Sequence, residues 1–435
     1  MNDMYTHSDT IFNFPIKDKS NDIIKVIGVG GGGGNAVKNM YSQGIANVSF
    51  AICNTDSQAL ANTGIPVRIQ LGTKGLGVGG NPEKGREAAE QSIDDIKRLF
   101  DDHTQMVLIT AGMGGGTGTG ASPVIASVAK EMGILTIGVV TLPFAFEKRK
   151  RIKQALRGME ELKKHVDTLL VINNERLPEI YPDLSVADGF LKADEILTVA
   201  TKCITEIITI KGVVNRDYCD VETVMRNGGN AIITMGRAHG EHRIMKAMSN
   251  ALDSPLMGDM EIEKAKRLLY IVYTCDKSPI RISELTEVNL FMDSLDEDVE
   301  MLWGLYEDNT LGNDVKVTII ATGFDQNAEE PEEMTDNGKT NRLFGMYYPG
   351  LTDGKRTGGY AGIQETDGNG NRVERQGRRY ETESIPSPTD NHLDNHPACT
   401  ESIHTDEKTN GTPPAGKKTR WLDTIENILS AYTNE

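Results

Sequence analysis

Thr110-Ala111-Gly112-Met113-Gly114-Gly115-Gly116-Thr117-Gly118-Thr119-Gly120 follows directly on the apolar run Met106-Val107-Leu108-Ile109 and leads into a helical pattern from Ala121 to Met132. Glycine-rich linkers are not usually bracketed by a buried strand and an amphipathic helix, so this tract reads as a structured loop. Its chemistry is that of a phosphate cradle. Glycines let backbone N–H groups close on an anion, the Thr117 and Thr119 hydroxyls add donors, and the positive end of the following helix points at the same place.

A second glycine run, Gly28-Val29-Gly30-Gly31-Gly32-Gly33-Gly34-Asn35, follows the first apolar stretch and satisfies GxGxxG at Gly28, Gly30 and Gly33. With Asp56 just beyond the second apolar stretch, this half of the chain also fits an NAD-dependent oxidoreductase, in which a carboxylate there binds ribose. The existence of two cradles separates the readings. A dinucleotide has one pyrophosphate, whereas three consecutive phosphates can occupy both loops. Walker A spacing is absent, since Gly80 to Gly85 is followed by Arg86-Glu87 rather than Lys and Ser or Thr. The site is therefore read as a triphosphate site without a P-loop lysine.

Apolar runs at 23–29, 48–53, 106–110, 134–142 and 169–172 alternate with helical patterns, which predicts β/α units around a parallel sheet with the crevice at the strands' carboxyl ends. Asn81 as N-cap and Pro82 at the first position predict a helix over Glu83–Phe100. The stripe Phe190, Ala193, Leu197, Ala200, Ile204 and Ile207 predicts a long helix packed along a core. Beyond Gly212, strands around 231–235, 268–274, 299–305 and 315–322 and helices at 241–252 and 283–294 suit a smaller α+β domain. Residues 325–418 turn to Glu, Asp, Asn, Gly, Thr and Pro without periodicity and read as a disordered linker. Helical spacing returns at Trp421, Ile425, Leu429 and Tyr432, a face expected to await a partner's groove.

GGGTGTG at 114–120 is the tubulin signature, and the chain from Ile23 to Phe324 resembles the tubulin/FtsZ family of cell-division GTPases. The resemblance implies an α/β, tubulin-like fold: a parallel-sheet GTP-binding domain (23–187) joined by a long central helix (188–212) to an α+β, GTPase-activating domain (213–324). A disordered arm (1–22) would precede these, and the linker (325–418) and a partner-binding helix (419–435) would follow. By the same likeness, Gly31, Gly32, Gly33, Gly34, Asn35, Asn54, Asp56, Gly79, Gly115, Gly116, Thr117, Gly118 and Thr119 would surround the phosphates of GTP or GDP, with Mg²⁺ arriving on the nucleotide. Glu147 and Arg151 would hold the ribose, and Asn174, Phe190 and Asp194 the guanine. Residue chemistry agrees with the last assignment: a carboxylate at Asp194 can accept from guanine N1–H and N2–H together, and Phe190 can stack on a base.

Asn215, Asp217 and Asp220 match the family's catalytic loop, at the far end of the long helix from the nucleotide loops. Taken alone, Asp220 reads as an N-cap for a helix over 221–226. Carboxylates at that pole would serve the next subunit's nucleotide, a heterologous contact that generates filaments. The resemblance thus implies a GTPase polymerising head-to-tail into the cytokinetic ring at the mid-cell division site, in touch with other division proteins and a membrane tether through its C-terminal helix. A non-hydrolysing GTP-binding scaffold is the second rival, which Asp217 and Asp220 oppose. Three departures stand out: Lys148 replaces a usual Gly, Arg216 an aliphatic residue, and the tail lacks the family's Pro-containing terminal peptide.

Composition narrows the class. A net charge of −17 argues against generic nucleic-acid binding, which needs a basic surface. No apolar run is long enough for a membrane span, and Met1–Asn21 lacks an apolar signal core, so the cytoplasm is the expected location without direct membrane insertion. Five scattered cysteines show neither disulfide-framework nor zinc spacing, so no protein-held metal is expected.

Overall fold

Strand β1 (Ile24–Val29) is buried along its whole length, as are β2 (Val48–Asn54) and β5 (Leu135–Leu142). That is why these segments read as unbroken apolar runs rather than alternating ones: a parallel sheet is covered on both faces. The computed structural model describes residues 22–45, 47–209, 214, 217–254, 262–292, 298–324, 336–351 and 420–433. With β3 (Val67–Gln70), β4 (Met106–Gly112) and β6 (Thr168–Asn173), the first six strands lie in the order β3-β2-β1-β4-β5-β6, all parallel. The helices of this half are α1 (Gly30–Ser42), α2 (Ser57–Ala61), α3 (Pro82–Glu90), α4 (Ile93–Leu99), α5 (Thr117–Glu131), α6 (Arg149–Lys163) and α7 (Leu177–Ile180). Then α8 (Val186–Thr209) buries Ala193, Leu197, Ala200, Ile204 and Ile207 of the stripe expected of the long helix, while Phe190 of the same stripe is exposed.

The sheet does not stop at β6. Following α9 (Tyr218–Met225), β7 (Gly229–Ala238) pairs parallel with β6 over three residues, Thr168–Leu170 against Gly229–Ala231. It then pairs antiparallel with β10 (Val315–Thr322), which in turn borders β8 (Arg267–Thr274) and β9 (Glu300–Glu307). A ten-stranded sheet results, with α10 (Arg243–Leu252) and α11 (Ile282–Met292) beside its second half.

Three sequence expectations change. The helix expected over 83–100 is two helices, because Ser92 turns inward and its Oγ accepts the Gly72 N–H at 2.9 Å. Asp94 and Asp95 then restart the chain as α4, on the side of the helix dipole that favours acids. The second change lies in the segment expected to be linker: α12 (Asp336–Tyr347), followed by a short 3₁₀ turn to Leu351, packs on α6 and buries Phe344 and Tyr348. Composition hid this, since a few aromatic and aliphatic residues among polar ones suffice to dock a helix. Lastly, α13 (Arg420–Thr433) does not stand apart. It lies against α10 and α11, with Trp421, Leu422 and Ile425 buried in the core of the second half and the Trp421 N–H donating to Glu263 at 3.1 Å. Burying such side chains contributes about 2 kcal/mol each, which is the reason the apolar face closes on its own protein. The arm at 1–21 and residues 352–419 lie outside the described residues.

Candidate functional site

Because β1 and β4 are hydrogen-bonded neighbours, with Gly28 opposite Thr110 and Val29 opposite Ala111, the two glycine loops leave the sheet side by side. They touch. Gly30 has φ +72°, and a Cβ there would lie 2.8 Å from Gly118 N; a Cβ on Gly33 would sit 2.1 Å from Thr110 O. Only glycine allows this approach, which turns two cradles into one. Gly31, Gly32 and Asn35 are exposed at its edge while Gly33 and Gly34 are buried beneath.

The first N–H groups of α5 have no partner within the helix, as at any helix start, so they are available to an anion. Gly115 and Thr117 are partly exposed there, and Gly116 and Gly118 are buried. The two threonines divide the work. Thr117 Oγ1 shares a hydrogen with Thr55 Oγ1 at 2.7 Å, tying the loop after β2 to the cradle. Thr119, expected to offer a donor, is 4% exposed, and its Oγ1 accepts the Gly114 N–H at 2.9 Å; it shapes the loop from inside. Asn54 is buried and accepts from the Asp56 N–H. Asp56 Oδ1 in turn caps α2, accepting from Gln58 N at 2.9 Å and Ala59 N at 3.3 Å. Gly79, at φ +58°, lies in the exposed loop before α3.

Sequence reading missed Gln154. From α6 its Nε2 reaches Gly80 O at 3.0 Å, Gly114 O at 2.9 Å and Gly115 O at 3.0 Å, drawing the loops before α3 and α5 to one point. Peptide planarity places each C=O opposite the next residue's N–H, so the N–H groups of Gly115 and Gly116 face away from Gln154. No motif signals a lone glutamine on an amphipathic helix.

Glu147 and Arg151, the pair expected at the ribose, lie against each other. Glu147 Oε1 accepts the Phe144 N–H at 2.9 Å while Oε2 lies 3.1 Å from Arg151 Nε, so a buried carboxylate fixes the loop after β5 and aims a half-exposed guanidinium. Glu175, another residue that sequence reading missed, braces the same loop by accepting the Ala145 N–H at 2.6 Å; burial raises its carboxyl above the ordinary range.

The three base-site candidates converge on one small cluster. Phe144, Leu177 and Ala193 pack together, placing Asn174, three residues before Leu177, and Asp194, next to Ala193, beside the loop after β5. Asn174 is 5% exposed, and among the described residues its Oδ1 has no hydrogen-bond partner. Burial pushes the Asp194 carboxyl up to about 6. Two desolvated acceptors of this kind call for a ligand with donors. Phe190 stands edge-on to Phe146 at 6.2 Å between ring centroids and is itself 41% exposed.

Asp217 and Asp220 lie elsewhere. Asp217 is the N-cap of α9 and accepts the Asp220 N–H at 3.0 Å, while Asp220 Oδ2 accepts the Asp217 N–H at 3.2 Å. This reciprocal box corrects the expectation that Asp220 would itself be the cap; the helix begins three residues earlier. Next to them, Tyr218 Oη donates to Gln105 O at 3.0 Å, at the amino end of β4. The glycine cradle leaves the carboxyl end of that strand, roughly 20 Å away at 3.3 Å per residue. Asn215 and Arg216 lie outside the described residues.

Fold and site together define an α/β nucleotide-binding protein whose two glycine loops meet at the carboxyl ends of β1 and β4. Residues 23–182 match the GTPase domain of the Tubulin/FtsZ family and residues 229–325 the C-terminal domain of the FtsZ family. Cell division protein FtsZ of Porphyromonas gingivalis is 50% identical over 322 residues, covering 73% of this chain and 70% of that protein. FtsZ of M. jannaschii, solved as an empty dimer, is 42% identical, with 70% of this chain and 89% of that one covered at a TM-score of 0.65. CetZ1 of Haloferax volcanii, solved as a GDP-bound monomer, is 22% identical and shares the fold, with 74% of this chain and 98% of that one covered at a TM-score of 0.61. The chain belongs to the tubulin/FtsZ family.

Proposed function

We propose that this protein binds GTP in the apposed glycine cradles and hydrolyses it with carboxylates supplied by the next subunit of a head-to-tail filament. The observation that carries this reading is the separation of Asp217 and Asp220 from the cradle by the length of β4, fixed by the Tyr218–Gln105 bond. No side-chain rotation spans that gap, so the acids serve a nucleotide on another copy. Phosphoryl transfer to water is mainly a task of positioning and charge stabilisation, which suits two carboxylates orienting a water against a γ-phosphate held by backbone N–H groups. Mg²⁺ would arrive on the phosphate oxygens of the nucleotide.

At the base, the unpartnered Asn174 Oδ1 and the Asp194 carboxylate suit guanine, which presents adjacent donors, over adenine. In cells the filament would form the division ring at mid-cell on the cytoplasmic side. Within it, α13 would be the segment that meets other division proteins or a membrane tether after leaving its seat on α10 and α11. The decisive experiment measures phosphate release and light scattering against protein concentration with GTP. Turnover per subunit should climb steeply above a threshold concentration, together with scattering. Asp217→Asn, which preserves the cap and removes the charge, should bind GTP, polymerise and barely hydrolyse. Equal turnover per subunit at high dilution would sink the shared site.

A further inference from the structure

We infer that the segment Asp336–Leu351 is a working part of the nucleotide site: it straps the outer face of α6 and holds the ribose and base loops, so that strap and nucleotide stabilise one another. The inference rests on the guanine-nucleotide reading above.

Three basic residues one helical turn apart on α6 meet this segment. Arg149 lies 5.2 Å from the Phe344 ring centroid and donates to Leu351 O, Lys153 Nζ donates to Asn341 Oδ1 at 3.1 Å, and Arg157 donates to Asn337 Oδ1 at 2.8 Å. Spacing at i, i+4 and i+8 puts all three on one stripe of the helix. Phe344 and Tyr348 stack at 5.6 Å and enter the same core as α5 and α6 at 5% and 2% exposure.

The polar contacts run to the site. Tyr348 Oη donates to Pro143 O at 2.6 Å, where the ribose loop begins. Asn173 Nδ2 donates to Tyr347 O at 2.7 Å, while its Oδ1 accepts the Glu175 N–H at 3.1 Å and Glu175 holds Ala145. The contacts form a closed circuit from strap to base loop to ribose loop and back to strap. Since α6 also carries Gln154, the strapped helix grips the phosphate loops as well. A ligand that orders these loops and a strap that orders the same loops must favour each other by the same factor.

The test uses the full chain and GDP alone. Phe344→Ala with Tyr348→Ala should weaken GDP binding in titration calorimetry about tenfold. In the unaltered protein, GDP should slow amide exchange across 336–351 by a matching factor. Tyr348→Phe, which keeps the ring and removes only the donor to Pro143, should weaken binding about fivefold and covers the case in which the double variant does not fold. Unchanged GDP affinity in both variants, or exchange across 336–351 indifferent to GDP, overturns the strap alone. An unaltered chain that does not bind GDP overturns the strap and the nucleotide reading together.

Discussion

Lys148 adopts φ +81° and ψ 144°, a region that side chains with a Cβ avoid. What the sequence marked as an added charge is, in the fold, backbone strain of order 1–3 kcal/mol in the turn after β5. Lys148→Gly should therefore raise unfolding free energy by about 1 kcal/mol in urea titration, with GTP binding retained; no gain would mean the strain is absent. Asp194 poses the opposite case, a buried acid that costs stability at neutral pH and is proposed to bind the base. Burial holds its carboxyl at about 6, above the 3.8 of a free aspartate. The neutral form thus favours the fold below pH 4, and that contribution is lost as pH rises through 6. Asp194→Asn should stabilise the nucleotide-free protein at pH 7.5 by about 1 kcal/mol, once solvent screening of a partly exposed group is allowed for, and change little at pH 4. The same substitution should erode preference for GTP over ATP in competition binding. For Gln154, Gln154→Ala should weaken GTP binding about tenfold at near-constant melting temperature, while Gln154→Lys, which restores a donor, should recover most of it. Equal affinity in all three proteins would reduce Gln154 to packing.

Among the elements, α13 yields the clearest measurement. Trp421 and Ile425, buried against α10 and α11, should each cost 2–5 kcal/mol or thereabouts when cut to alanine, roughly the cost of a core truncation. Calorimetry on Ile425→Ala should show a lowered melting temperature, and an unaltered transition would mean that the helix is undocked in solution. What the sequence disclosed and what it withheld follow from the range of the interactions. The two glycine loops and their place at the strand ends were legible because glycine spacing, strand and helix are contiguous, and Asn81 announced its cap locally. The split at Ser92, the docking of α12 with its following turn and of α13, and the reach of Gln154 depend on partners 20 to 205 residues away in the chain, and no local pattern encodes them. Asp217 and Asp220 fall between these cases. Their reciprocal capping is local, but their distance from the cradle emerges only once β4 is laid between them.

For the whole molecule, a site shared between copies predicts complementation. Subunits carrying Asp217→Asn have an intact cradle, and subunits carrying Gly116→Val, whose new side chain would collide with Val78 and Asn81, keep their carboxylates. Each alone should be nearly inactive, and mixing them should restore part of the phosphate release; activity no greater than the sum of the separate samples would argue for a self-contained site. The continuous sheet adds a mechanical dimension. Most neighbouring strands share six to eight residue pairs, but β6 and β7 share three, helped by Gly229 N donating to Asp167 O at 2.9 Å and by the Thr168 hydroxyl bonding Met225 O. A filament under tension or curvature loads every subunit along its length, and within the sheet this narrow ladder has the least material to resist shear. It is the step of the sheet with the shortest ladder, so a pull across it in a ring of such subunits would be borne chiefly by the apolar core that spans the seam, where Leu170 and Ile172 share one cluster with Leu269, Ile271 and Ile320.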